Sequence, residues 1–162
     1  MKNKNRIDQL IKDNISEDGT VLNLREKYIG LRGTIELSKK EALNRVKILV
    51  YSGNQCGDEG AEAFAVSPHL SNLENLNMNH NEIGDDGAFA LANSSNLPNL
   101  KILSIFGNVI GDAGAKAFAS SPESKKYNKL DLYKNQFGNE GIKALNESEN
   151  LKNCEELEYY VE

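Results

Sequence analysis

Leu76 and Met78 alternate with Asn75, Asn77 and Asn79, and a period of two predicts a short strand with one buried face. The alternation returns every 27 residues. Leu22, Leu49, Leu76, Leu103, Leu130 and Leu157 hold one buried position, and Leu24, Tyr51, Met78, Ile105, Leu132 and Tyr159 hold the next. Beyond each strand the pattern shifts to helical spacing. Ala63 with Phe64, Ala90 with Leu91, and Ala117 with Phe118 form an apolar stripe on three successive segments. A fixed step of this kind means stacked units that bury their apolar faces on one another. Strands stacked in this way run parallel, so each needs a crossover, and 27 residues leave room for one helix. The expected class is α/β: six parallel strands on one side and helices on the other.

Other positions keep the same step. Asn54, Asn81, Asn108 and Asn135 follow the strands, with Lys27 in the first slot. Gly84 is expected to permit a tight turn. Asp58, Asp85 and Asp112 stand where a carboxylate can cap the helix that follows it. Gly60, Gly87 and Gly114, each followed by alanine, are expected to let neighbouring helices approach closely, and Pro68 and Pro122 to close helices off. The first unit departs from the pattern at Lys27 and Glu36, the fifth at Asn139, Ile142 and Asn146, as terminal units of a stack do. Ile7, Leu10 and Ile11 predict a cap helix over residues 4–14. The chain divides into an N-terminal cap helix and turn at 1–19 and a repeat domain at 20–162.

The unit reads L-x-x-L-x-L-x-x-N-x-I-G-D-x-G-A-x-A-F-A, and its clearest copy is LENLNMNHNEIGDDGAFALA at residues 73–92. It resembles the leucine-rich repeat, and the resemblance spans residues 20–161. Unit length and second half look like the ribonuclease-inhibitor-like subfamily. The IGDxGAxA segment looks like bacterial GALA-type repeats found in some secreted effectors. The resemblance implies a right-handed solenoid with a concave parallel sheet and convex helices. It also implies that the repeated asparagine turns inward and hydrogen-bonds backbone groups of neighbouring turns.

Composition narrows the chemistry. The net charge of −5 argues against a nucleic-acid footprint. No run approaches the ~18 apolar residues of a membrane span, and the first fifteen residues carry no apolar core of a secretory signal. Cys56 takes the slot of Ile29, Ile83, Ile110 and Phe137, which predicts a small buried hydrophobe, and Cys154 takes that of Leu73 and Leu100. Four strand spacings, roughly 19 Å, separate the two and exclude a disulfide. His69 and His80 lack partners at ligand spacing. Asp85 and Asp86 belong to the repeat and not to a calcium loop, and the glycine-rich segment lacks the Lys-Ser/Thr of a phosphate loop. No catalytic residue, metal or cofactor is expected. Two unpaired cysteines suit a reducing compartment: the cytoplasm, or a host cell if the chain is a delivered effector.

One constellation stands out. A slot on the exposed sheet face reads Arg25, Ser52, Asn79, Phe106, Tyr133, Tyr160, and the slot beside it Glu26, Gly53, His80, Gly107, Lys134, Val161. Phe106, Tyr133 and Tyr160 thus line up on adjacent strands, with Asn79, His80, Asp131 and Lys134 around them. Exposed aromatics among polar groups are the composition of interface hot spots. The same row also fits a cross-strand stack that only stabilises the sheet. Six strands make an arc roughly 24 Å wide, too open to exclude water from a reaction. The expected function is a non-enzymatic module that binds a protein on its concave face. Alternatives are a GTPase-activating regulator, since Ran GTPase-activating proteins share this repeat type, and the recognition part of a larger bacterial effector. The expected state is a monomer with no nucleic-acid or membrane partner. End-to-end association through the C-terminal edge strand is open to it. Glu155, Glu156, Glu158 and Glu162 charge that edge, which marks either a protected end or the border of a longer protein.

Overall fold

A computed structural model describes residues 2–159, with side chains from Arg6 onward. Six three-residue strands, β1 (Val21–Asn23), β2 (Ile48–Val50), β3 (Asn75–Asn77), β4 (Ile102–Ser104), β5 (Lys129–Asp131) and β6 (Glu156–Glu158), form one sheet in chain order. All are parallel, and the register pairs each strand leucine with the next: Leu22, Leu49, Leu76, Leu103, Leu130, Leu157. Helices α2 (Gly30–Leu37), α3 (Gly57–Ala65), α4 (Asp85–Ala92), α5 (Asp112–Ser120) and α6 (Asn139–Asn146) follow the first five strands. The α/β solenoid expected from the periodicity is the observed fold.

The core lies between sheet and helices. Leu22 to Leu130 of the strand column are fully buried, as are Phe64, Leu91 and Phe118 from the helices. Each such side chain contributes about 2 kcal/mol through burial. Tyr51 fills a leucine-sized slot because its hydroxyl lies 2.7 Å from Thr34 Oγ1, so no buried polar atom is left alone there. Helix α1 (Lys2–Asn14) buries Ile7 and Ile11 over the first unit, and Arg6 donates to Lys27 O at 2.8 Å. Ser16 N–H donates to Val21 O, which covers part of the outer edge of β1.

Three hydrogen-bond ladders join the repeats. In the first, each asparagine turns inward, as expected. Asn108 Nδ2 donates to Met78 O and Ile105 O, and its Oδ1 accepts from Asn81 N at 2.9 Å and Ile83 N at 3.0 Å. Asn54, Asn81 and Asn135 repeat this pattern.

The second ladder corrects an expectation. Asp58 sits inside α3 and does not cap its own helix. Its Oδ1 accepts from Gly84 N at 2.6 Å and Gly87 N at 3.0 Å, at the start of α4 in the next repeat. Asp85 does the same for α5 and Asp112 for α6. The carboxylate still neutralises orphan helix amides, but it does so across the repeat boundary. Gly84 differs from expectation for the same reason. Its φ is −104°, an ordinary conformation, and a Cβ there would meet the Asp58 carboxylate at 3.2 Å. Glycine makes room for the carboxylate and is not needed for a left-handed turn.

The third ladder uses serines that also recur at the repeat step. Ser67, Ser94, Ser121 and Ser148 donate to Ser38 O, Ala65 O, Ala92 O and Ala119 O, the C-terminal carbonyls of the preceding helices. Helix starts and helix ends are thus both satisfied by the neighbouring unit.

The last unit is less sealed. Phe137, Cys154, Leu157 and Tyr159 are only partly buried against the core, whereas their counterparts Ile110, Tyr127, Leu130 and Leu132 are buried. Cys154 is therefore half-buried, not the buried residue its slot predicts. Cys56 is buried, and burial pushes its thiol up to about 12. A thiol reagent at mildly alkaline pH is expected to label at most Cys154 in the folded protein, and both cysteines after unfolding. Fast labelling of Cys56 in the native state would contradict this placement.

Candidate functional site

The candidate site forms where the strands end. The slot after each of the first five strands turns through left-handed backbone, with φ of 53° at Glu26, 70° at Gly53, 54° at His80, 67° at Gly107 and 54° at Lys134. Glycine adopts this conformation without strain, whereas a side chain pays roughly 1 kcal/mol. His80 and Lys134 occupy it nonetheless, on either side of the unit that carries Phe106. Gly107 is glycine for a second reason: a Cβ there would lie 2.3 Å from the His80 ring.

That arrangement gathers four side chains. The His80 ring stands edge-on to Phe106 with centroids 5.1 Å apart. Tyr133 stacks on Phe106 at 5.9 Å with a 17° interplanar angle. Lys134 Nζ lies 5.4 Å from the Phe106 centroid, a cation–π distance. Phe106 is half-buried by these neighbours, and Tyr133 stays 36% exposed. Aromatic pairs of this geometry add about 1 kcal/mol beyond area burial.

Asn79 and Asp131 also make hydrogen bonds within the face. Asn79 Oδ1 accepts from Phe106 N at 2.9 Å and from Ser104 Oγ at 2.7 Å. Asp131 Oδ2 lies 2.9 Å from the same Ser104 hydroxyl, and Asp131 Oδ1 accepts from Tyr133 N at 3.0 Å. One hydroxyl has one proton, so Ser104 shares it between two strands. Asn79 and Asp131 thus hold the backbone beneath the two rings and position them. Tyr160 lies outside the described residues.

Two residues of this face were not singled out from the sequence. Ser104 is the bridge just described, and its signal was a small polar residue between two acceptor-bearing slots. Lys129 Nζ pairs with Glu156 at 2.7 Å and Glu158 at 2.8 Å. These bonds hold its ammonium group above its ordinary range. The sequence signal for this pair was a lone lysine one repeat before two strand glutamates. Among the described residues no three His, Cys, Asp or Glu side chains converge as a metal set. Among the described residues no helix is long and apolar enough to cross a membrane.

Comparison with known proteins agrees with the repeat. No curated protein is similar in sequence to this chain. A solved structure of the leiomodin-1 actin-binding site 2 is similar in fold, with a TM-score of 0.64 at 18% identity. The match covers 94% of this chain and 87% of that one. The leucine-rich-repeat family model matches residues 69–92, 96–119 and 128–145. These three stretches carry leucine-rich repeats, and they run in unbroken register with the remaining strands of one sheet in an α/β solenoid fold.

Proposed function

We propose that this chain is a non-catalytic protein-interaction module that binds a protein partner on its concave sheet face. The binding surface centres on Phe106 and Tyr133, with Tyr160 next in the same column and His80 and Lys134 at its border. Asn79 and Asp131 position it. The observation that carries this reading is the cluster itself: the His80 ring, the Tyr133 ring and the Lys134 ammonium converge on one phenylalanine outside the core. The leiomodin-1 domain of similar fold is named for actin binding, which supports a protein as the partner class. The 27-residue unit further suggests a ribonuclease-inhibitor-like solenoid of GALA type, acting as a monomer in the cytoplasm or in a host cell. Strand β6, last in the sheet order, also suits end-to-end association of copies.

The test is affinity capture on the wild-type chain, followed by measured affinity for the captured protein with a Phe106→Ala/Tyr133→Ala variant. Central aromatic hot spots cost about 2–4 kcal/mol each, so a loss of affinity of at least about 100-fold is expected, with the circular dichroism spectrum unchanged. Wild-type affinity in the folded variant would refute the concave-face reading and leave the aromatic row as a sheet stabiliser.

A further inference from the structure

Beside the aromatic pair the exposed face opens into a hollow lined by Phe106, Asp131, Tyr133, Leu157, Glu158 and Tyr159. Its two charged residues are both acidic, and neither Lys129 nor Lys134 lines it. Around this corner of the sheet the carboxylates of Asp131, Glu156 and Glu158 stand against two lysines, Lys129 paired with both glutamates and Lys134 over Phe106, so negative charge is in excess by one. Asp131 Oδ1 accepts from the Tyr133 amide and Oδ2 shares the single Ser104 proton with Asn79 Oδ1, which leaves further lone pairs on both oxygens. The Phe106 ring of this wall already carries one cation, since Lys134 Nζ lies 5.4 Å from its centroid.

We propose that this hollow receives an arginine side chain of the partner protein. The inference rests on the concave-face reading and names the partner's chemistry. A guanidinium is planar, so it can lie against an aromatic ring while its N–H fork meets a carboxylate edge-on. An ammonium offers a point charge without the flat face, and a neutral or acidic side chain would leave the Asp131 and Glu158 charges facing a desolvated guest. Phe106 and Tyr133 supply the stacking wall, Glu158 and Asp131 the acceptors. Lys129 holds Glu158 in place from the neighbouring strand.

The test uses small probes of defined charge: N-acetyl-arginine amide, N-acetyl-lysine amide and N-acetyl-citrulline amide, titrated into the 15N-labelled chain. Citrulline keeps the shape of arginine and lacks its charge. The arginine probe is expected to shift the amides of Phe106, Asp131, Tyr133 and Glu158 in a saturable way. The lysine and citrulline probes should bind about tenfold more weakly, as charge-assisted bidentate bonding requires. An Asp131→Asn/Glu158→Gln variant should lower arginine-probe affinity to the citrulline level with an otherwise native spectrum. Equal shifts from arginine and citrulline would overturn the proposal. So would shifts spread over Glu147, Glu149 and Glu155, which would mark general attraction to an acidic surface. The two readings fail separately. A partner lost on Phe106→Ala/Tyr133→Ala, but unaffected when its own arginines are replaced, overturns the arginine and spares the binding face. A localised arginine-probe response, together with partner affinity that ignores both aromatic residues, does the reverse.

Discussion

Replacing Asn108 with alanine is expected to remove about 4 kcal/mol of folding stability. The side chain accepts from Asn81 N and Ile83 N and donates to Met78 O and Ile105 O, all in the buried ladder. All four lose Asn108, but Ile105 O keeps a bond from Asn135, so three backbone groups are left without this ladder's support. An orphaned buried group costs about 1–3 kcal/mol, and water entering the vacated space recovers part of the sum. A domain of this size holds roughly 5–15 kcal/mol in total, so the substitution takes a large share. Asn99→Ala is the control, because Asn99 makes one exposed bond to Ser71 O and should cost under about 1 kcal/mol. Urea unfolding followed by circular dichroism measures both. Equal midpoints for the two variants would mean that the ladder does not bear on stability.

Gly87→Ala is the second large effect, and its sign is opposite to that of helix propensity. Alanine in this first turn of the helix should gain at most about 1 kcal/mol over glycine, the value for a helix interior. A Cβ at Gly87, however, would lie 2.6 Å from Asp58 Oδ1, 2.8 Å from Ile83 Cγ2 and 3.0 Å from the Asp58 backbone. Overpacking costs about 1–3 kcal/mol, and displacing Asp58 also weakens its bonds to Gly84 N and Gly87 N, a capping contribution of about 1–2 kcal/mol. A net loss of about 2 kcal/mol is expected in denaturant titration. Gly84→Ala should cost less, since only the Asp58 carboxylate stands near its Cβ direction and the backbone is ordinary. A stabilised Gly87→Ala protein would show that α3 and α4 separate readily and that the close approach is not required.

Both effects arise at repeat boundaries, which is where a solenoid stores its cooperativity. Each unit alone has unsatisfied helix ends and a sheet strand without a neighbour. Asparagine, aspartate and serine ladders satisfy those groups only when the next unit is folded. The aromatic face is built on the same contacts, because Asn79, Ser104 and Asp131 connect three adjacent strands beneath Phe106 and Tyr133. Loss of one boundary near β4 therefore threatens the binding surface as well as the fold.

Leu76, Asn81 and Gly87 could be assigned their structural positions from sequence because their equivalents recur at one step. Recurrence identifies neighbours directly: residues one repeat apart sit side by side. The aromatic column was legible for the same reason, although whether it binds a partner is a property of its surroundings. The partners of Asp58 were not legible. An aspartate at a helix start fits capping of its own helix equally well, and only the spacing between α3 and α4 selects the next helix. Ser67, Ser94, Ser121 and Ser148 recur just as regularly, yet a hydroxyl has no assigned meaning until its acceptor is located. Glycine at positions 53 and 107 was a readable sign of left-handed backbone in the slot that also carries His80 and Lys134.

The amino-acid sequence by itself determined the repeat, the strand register, the inward and outward faces and the row of rings, since periodicity alone decides which side chains share a surface. The tertiary structure decided the direction of each hydrogen bond across a boundary, the use of Asn79 and Asp131 as supports, and the acidic hollow beside Tyr133. These depend on how side chains of adjacent units are placed against one another, and the repeat pattern does not encode that placement.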